Sequence, residues 1–328
     1  MAHIIVSNSS YLFIVHDKTT VLMLDDSLKI KGELQFEKAV IGISANENDL
    51  FVSLKGKEIL VYDILGFSAS SSAKKSYSLE VDAYMLKYVD YNGNPSILYV
   101  DGGDILVLNL ESAKFSLLFG HIATCTSYEF DNDTKAIISG DRDGRIRISS
   151  FPDTYKIKAF ALFHEEFVTK ILCLPSGEFV SCDGENLVKW TSNGKIVMSK
   201  NVATPETLIS DIAYHAARNL LFTNHKGASI SGFNPETFEK ELEIESPNCF
   251  CLHSFKDSVY CGCNGDLIRI SNDIQHLHEG TLQKTVSSDF SIEHKRVIKK
   301  IVVRKGVSSN ETLELWRNPE KALTLHED

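Results

Sequence analysis

No stretch of this 328-residue chain is apolar for long enough to cross a bilayer. Its first ten residues, MAHIIVSNSS, hold neither a basic segment nor a signal-length apolar run. Neither a membrane span nor secretion is therefore expected. The seven cysteines lack a disulfide-framework spacing and are odd in number, which predicts reduced thiols and a cytosolic or nuclear setting. Positive charge is also short, with 34 basic against 44 acidic residues and a net charge of −10. A protein whose main task was gripping RNA by its phosphates would be basic overall. From Met1 to Glu293 there are 26 basic and 39 acidic residues, and from His294 to Asp328 there are 8 and 5. The body is expected to repel nucleic acid, and only the tail to attract it.

Catalytic signatures are missing as well. His164-Glu165-Glu166 is not H-E-x-x-H, because Val168 stands where the second histidine would be. No G-x-S-x-G elbow occurs. Asp101-Gly102-Gly103-Asp104 is Gly-rich but lies between two short apolar strands, so it reads as a hairpin turn and not a phosphate cradle. With no G-x-G-x-x-G between strand and helix, a cofactor-binding Rossmann-type fold is not expected. Cys249, Cys251, Cys261 and Cys263 form two C-x-C pairs on facing strands, near His253. Zinc knuckles prefer C-x₂₋₄-C in turns, so these are expected to be core thiols and no metal site is expected. The chain is expected to catalyse nothing and to hold no cofactor of its own.

What is present is a repeat. Apolar strands joined by short Asp/Gly/Asn/Lys turns recur as Tyr11–His16 with Val21–Asp25, Leu50–Leu54 with Ile59–Asp63, and Ile97–Val100 with Ile105–Asn109. They continue as Ala136–Ser139 with Ile146–Ser150, Phe179–Ser181 with Leu187–Thr191, Leu220–Thr223 with Ile230–Asn234, and Val259–Gly262 with Leu267–Asn272. The closing residues stand at 25, 63, 109, 150, 191, 234 and 272, spaced by 38 to 46 residues. Seven such copies predict an all-β fold, a seven-bladed WD-repeat β-propeller over residues 1–290. Residues 291–328 form a tail, basic at its start. Some part of the chain beyond Asn272, Thr281–Ser288 or Glu311–Trp316, is expected to complete the last blade, since an unpaired edge invites aggregation. The Ser-rich segment 66–76 interrupts the second copy and reads as a mobile loop.

Only Trp190-Thr191 keeps the tryptophan of the Trp-Asp ending, and Gly120-His121 keeps the Gly-His opening of a repeat. WD-repeat chemistry implies that His121, Ser139 and Asp143 form one polar network, with Ser149 where a Trp would stand. His164 takes the same role one blade on. These residues and Trp190 are assigned to the fold, not to catalysis.

The stretch Ser139–Phe167 carries the most specific signal. Asp141-Arg142-Asp143-Gly144 makes a tight turn, and Arg145-Ile146-Arg147-Ile148-Ser149 returns as a strand with both arginines on one face. Glu165-Glu166-Phe167-Val168 follows at the next repeat's opening. A charge-dense rim beside an exposed aromatic has the composition of an interface hot spot. This segment resembles the WD-repeat non-catalytic subunit of the eukaryotic tRNA (guanine-N7)-methyltransferase, most closely over Gly120–Trp190. The resemblance implies a heterodimer with a separate catalytic subunit that binds S-adenosylmethionine and methylates a variable-loop guanine of tRNA. Arg147 would contact an acidic patch of that partner, with Arg145, Asp143, Arg142, Glu166 and Phe167 beside it. Transfer RNA would be met mainly through the partner. The basic stretch 294–305 is as readily a solvated edge as an RNA contact. The expected compartment is the nucleus, with the cytoplasm also open. Gly144 departs from the family, which often has an acidic residue there. The rival readings are a generic WD-repeat scaffold, such as a ubiquitin-ligase substrate receptor, and a propeller enzyme with a metal in its channel.

Overall fold

The computed structural model describes residues 4–296 except 17, 27–28, 227, 246–248, 264–265 and 272–291. Apart from one 3₁₀ turn at Ala216–Arg218, its regular structure is β, in seven four-stranded antiparallel sheets, each a meander of consecutive strands. Blade 1 is β1 (Ile5–Ser7), β2 (Leu12–His16), β3 (Thr20–Leu24) and β4 (Ile30–Gln35). Blade 2 is β5 (Val40–Ala45), β6 (Asp49–Leu54), β7 (Glu58–Asp63) and β8 (Lys75–Ser78). Blade 3 is β9 (Tyr84–Tyr91), β10 (Asn94–Asp101), β11 (Asp104–Asn109) and β12 (Phe115–Gly120). Blade 4 is β13 (Cys125–Asp131), β14 (Ala136–Asp141), β15 (Arg145–Ser150) and β16 (Ile157–Leu162). Blade 5 is β17 (Lys170–Cys173), β18 (Phe179–Cys182), β19 (Asn186–Trp190) and β20 (Ile196–Asn201). Blade 6 is β21 (Ile209–His215), β22 (Leu220–His225), β23 (Ser229–Phe233) and β24 (Lys240–Glu245). Blade 7 is β25 (Cys249–Phe255), β26 (Ser258–Cys263), β27 (Asp266–Ser271) and β28 (Ile292–Arg296). The seven-bladed propeller read from the repeat is the fold.

The two middle strands of a blade are apolar on both faces, because each face must be covered by a neighbouring blade. The core is accordingly divided into seven apolar clusters, one at each seam between blades. Between blades 4 and 5, for example, Ile146, Ile148 and Ala161 pack with Val168, Ile171, Phe179 and Trp190.

The last seam differs from expectation in its detail. The fourth strand of blade 7 is β28, at the start of the tail, paired with β27 from Asp266↔Arg296 to Ile270↔Ile292; the two stretches named for it, Thr281–Ser288 and Glu311–Trp316, lie outside the described residues. So does most of the basic stretch 294–305 beyond Arg296. Blade 1 is complete from its own contiguous chain, so no strand is exchanged across the ring. Closure falls to side chains: Ile5, Leu12 and Leu24 pack against Cys251, Phe255 and Tyr260. Lys256 adds an ion pair to Asp26 at 3.0 Å, and Arg269 Nη1 donates to the Asp26 carbonyl at 2.9 Å.

Two other expectations need revision. The Ser-rich segment is pinned near its start, because Phe67 is buried with its ring centroid 6.0 Å from that of Phe13, and its last residues enter β8. Apart from Phe67 and the half-buried Ser71, the segment is exposed. Cys249, Cys251 and Cys261 of blade 7 are buried as foreseen, but Cys249 and Cys261 are not separate reduced thiols. Their Cα atoms are 6.3 Å apart and their sulfurs meet as a disulfide pair, while Cys125, Cys173 and Cys182 are free thiols.

Blade 5 carries a full polar relay. Trp190 Nε1 donates to Ser181 Oγ at 2.7 Å, Ser181 is 2.6 Å from His164 Nε2, and His164 Nδ1 is 2.9 Å from Asp183. An ionised Asp183 only accepts, so His164 carries its proton on Nδ1 and takes the serine proton on Nε2. Burial raises the Asp183 pKa, but the bonds from His164 and Asn186 outweigh it and hold the carboxyl below its usual range. The carboxylate therefore favours the folded state above the unfolded pKa, and this contribution is lost as pH falls through the lower, folded value. Asp183→Asn should flatten that acid limb of the stability curve, measured by denaturant unfolding at a series of pH values. Trp190→Phe should lower the unfolding free energy by about 1–3 kcal/mol, since it removes a buried N–H donor from Ser181.

Candidate partner-binding face

The turn after β14 is built by Asp141. Its Oδ1 accepts from the backbone N–H of Asp143 at 3.0 Å and of Arg145 at 2.9 Å, while Oδ2 lies 3.1 Å from His121 Nδ1. His121 Nε2 is 2.8 Å from Ser139 Oγ. The network expected from His121, Ser139 and Asp143 is therefore made with Asp141 in place of Asp143. The reason is position: Asp141 ends the strand and faces inward, whereas Asp143 is at the solvated tip of the turn. Burial lowers the His121 pKa and keeps the ring neutral. A third relay escaped the sequence reading because its histidine lies within the strand itself. His225 Nε2 is 2.8 Å from Thr223 Oγ1, and its Nδ1 is 3.1 Å from the Thr207 carbonyl.

Gly144 has φ +76°, and a Cβ there would lie 2.8 Å from the Glu166 carbonyl oxygen and closer still to that of His164. The turn is thus pressed under the loop that opens blade 5, which explains why a larger residue is absent. This contact gathers Arg142, Asp143, Arg145, Glu165 and Glu166 on one exposed rim. Phe167 is half-buried and Val168 fully buried against Gly140, so the exposed aromatic of this rim is Phe163.

Arg147 is engaged within the fold. Its Nε donates to Ser149 Oγ at 2.8 Å, its Nη2 donates to the Thr154 carbonyl at 2.9 Å, and its guanidinium carbon lies 4.3 Å from the centre of the Phe119 ring. Thr154 in turn donates to the Leu118 carbonyl at 2.9 Å. Ser149, at the place of the missing tryptophan, leaves room for this guanidinium, which stitches blade 4 to the outer strand of blade 3. A longer contact runs from its Nη1 to the Gly120 carbonyl at 3.5 Å, and the side chain is half-buried.

Beside the arginines lies a surface that sequence reasoning missed. In the register of β15 with β16, Arg145 stands opposite Leu162 and Arg147 opposite Phe160, so all four share a face. Phe160 is 54% and Leu162 65% exposed, and Leu117 on neighbouring β12 is 59% exposed. Among the described residues eleven large apolar side chains are exposed, and nine of them fall between Leu117 and Val197. They include Tyr155, Ile157 and Phe163 around the same outer strand, and Ile122 in the loop above it. An apolar band of this kind next to charged groups is the composition of a protein-binding face. The alternation in Ile157–Leu162 marks a strand with one apolar face, but nothing in it distinguishes a covered face from an open one. Among the described residues no group of three or more His, Cys, Asp or Glu is placed to hold a metal.

Comparison with known proteins points to the same blades. Residues 109–228 match the family described as the tRNA methyltransferase TRM82 WD40 domain. The chain is 26% identical over 177 residues to the tRNA (guanine-N(7)-)-methyltransferase non-catalytic subunit wuho of Culex quinquefasciatus, covering 51% of this chain and 44% of that protein. It is 25% identical over 216 residues to the non-catalytic subunit wdr4 of Dictyostelium discoideum, covering 57% and 45%. With the subunit trm82 of Aspergillus oryzae it shares 32% over 132 residues, covering 36% and 26%. The chain thus spans less than half the length of the curated relatives it matches. Among solved structures, the Cps50 (Swd1) β-propeller domain of Myceliophthora thermophila superposes with a TM-score of 0.66 at 10% identity, covering 80% of this chain and 93% of that one. That likeness concerns the fold alone. The chain is a seven-bladed WD-repeat propeller whose central blades are similar to the non-catalytic subunits of tRNA (guanine-N7)-methyltransferase.

Proposed function

We propose that this chain is the non-catalytic subunit of a tRNA (guanine-N7)-methyltransferase and holds a separate catalytic subunit on the outer side of blades 3 and 4. The observation that carries the reading is a coincidence in place. The region similar to those subunits, residues 109–228, is also the region where exposed apolar side chains and the paired arginines gather. In this reading S-adenosylmethionine sits on the catalytic subunit, tRNA is met mainly through it, and the complex works in the nucleus. The propeller acts by binding the competent conformation of its partner and so raising its population. The acidic balance of residues 1–293 suits a protein that grips an enzyme and not RNA phosphates.

Co-expression with the host's tRNA guanine-N7 methyltransferase, gel filtration and a methyl-transfer assay test the reading directly; no co-elution and no gain in methylation would sink it. Phe160→Ala with Leu162→Ala should leave the propeller's own melting temperature unchanged, because both side chains are exposed. The pair should weaken capture of the catalytic subunit by at least about thirtyfold, as loss of a central apolar anchor does. Arg145→Glu should behave alike. Arg147→Ala should differ, lowering the unfolding free energy of the isolated propeller by about 1–3 kcal/mol through the lost blade 3–4 bonds, as well as weakening capture.

A further inference from the structure

The apolar band around β16 has unneutralised cations beside it. Phe160, Leu162 and Phe163 are 54%, 65% and 39% exposed, and Leu117 on β12 is 59% exposed. Arg145 is exposed, and its guanidinium has no ion-pair partner among the described residues. Arg142 reaches only Asp143, at 3.7 Å, with 58% of its side chain exposed. Arg145 stands opposite Leu162, at the end of the sheet where β14 turns into β15. Open apolar area next to free positive charge calls for an acidic, apolar occupant.

The chain itself holds a segment of that chemistry. In Glu311-Thr312-Leu313-Glu314-Leu315-Trp316, two carboxylates alternate with large apolar side chains. From Glu311 to Asp328 there are 5 acidic and 2 basic residues, a balance of −3, whereas the stretch 294–305 has six Lys/Arg and no acid. Because β28 already fills the fourth position of blade 7, the ring closes without this segment. Arg296 stands opposite Asp266, beside the turn from β26 to β27, just as Leu162 stands opposite Arg145 beside the turn from β14 to β15. The chain therefore leaves blade 7 on the same face of the ring as Arg142, Arg145 and Phe163. The fourteen residues 297–310 reach at most about 50 Å. A domain of this size is roughly 50 Å across, judged from its expected radius of gyration. The segment can thus arrive at blade 4 with every blade intact.

We propose that residues 311–316 dock on the apolar band of blades 3 and 4, with Leu313, Leu315 and Trp316 against Phe160 and Leu162 and the two glutamates toward Arg145 and Arg142. Tethering makes a weak contact sufficient. It supplies an effective concentration on the order of 1 mM, so a contact with a Kd of about 0.1 mM is about 90% formed. The docked tail covers the face assigned above to the catalytic subunit, and this consequence rests on that reading: the partner must displace the tail, and so binds about tenfold more weakly than it would to an open face. The docking itself needs no partner.

Photo-crosslinking of the full chain, alone and dilute, tests the contact. With p-benzoylphenylalanine at position 316, intramolecular cross-links are expected to peptides holding Leu117 or residues 160–163, located by mass spectrometry. Acrylamide quenching of Trp316 gives a second readout, taken as the difference between the parent and Trp316→Phe, since the other tryptophan, Trp190, is common to both. Trp316 should be shielded in the parent. Phe160→Ala with Leu162→Ala should remove the shielding, and Arg145→Glu or salt at about 1 M should reduce it. In the capture assay, Leu315→Ser with Trp316→Ser should tighten binding of the catalytic subunit about tenfold. Cross-links to the band with no capture by any variant would sink the proposed function and leave the docked tail standing. Cross-links elsewhere on the propeller or only between two copies, or a Trp316 as open to acrylamide in the parent as in the Phe160 and Leu162 double variant, would overturn the docking.

Discussion

Apolar packing across blade seams is the interaction on which the molecule depends. A blade of this ring has no interior of its own, because its middle strands are apolar on both faces and either face is covered only by another sheet. The seven clusters are therefore a closed chain of mutual burial. Any one of them is worth little unless the others are made. Sequence enters this circle through side-chain volume. Gly140 lets Val168 reach the backbone of the preceding blade, and Gly144 lets the next opening loop lie directly on the turn.

Polar groups inside such a ring are tolerated where they form complete chains of donors and acceptors. Blade 5 uses tryptophan, serine, histidine and aspartate, and blade 6 reaches a similar end with His225 between Thr223 and a backbone carbonyl. Blade 4 lacks the tryptophan and fills its place with the Arg147 guanidinium, which reaches out to the surface. The same guanidinium thereby braces the seam between blades 3 and 4. Lys189 is a comparable brace between blades 5 and 6. It is almost wholly buried and bonded to Glu178 at 2.8 Å and Glu236 at 2.7 Å.

The architecture was legible because a four-stranded meander leaves two marks in sequence, turn residues at a fixed offset and a strand period of two. The closing residues from Asp25 to Asn272 keep that spacing even where the signature residues are lost. The site was legible only in part. Arg145 and Arg147 could be placed on one face by counting residues, and Gly144 marked the turn. Counting did not separate Asp141 from Asp143 as the partner of His121, since both carboxylates flank the same tight turn and only the path of the backbone selects between them. Nor did it expose Phe160 and Leu162, whose alternation resembles that of any half-buried strand.

The lack of strand exchange between blades 1 and 7 matters before the protein is finished. As the chain leaves the ribosome, each sheet can fold from residues already made, and each new one covers its predecessor. The outer face of the first sheet, with Ile5, Leu12 and Leu24, has no such cover until β25 to β27 emerge more than two hundred residues later. Blades 2 to 6 are thus made while that apolar surface is still uncovered.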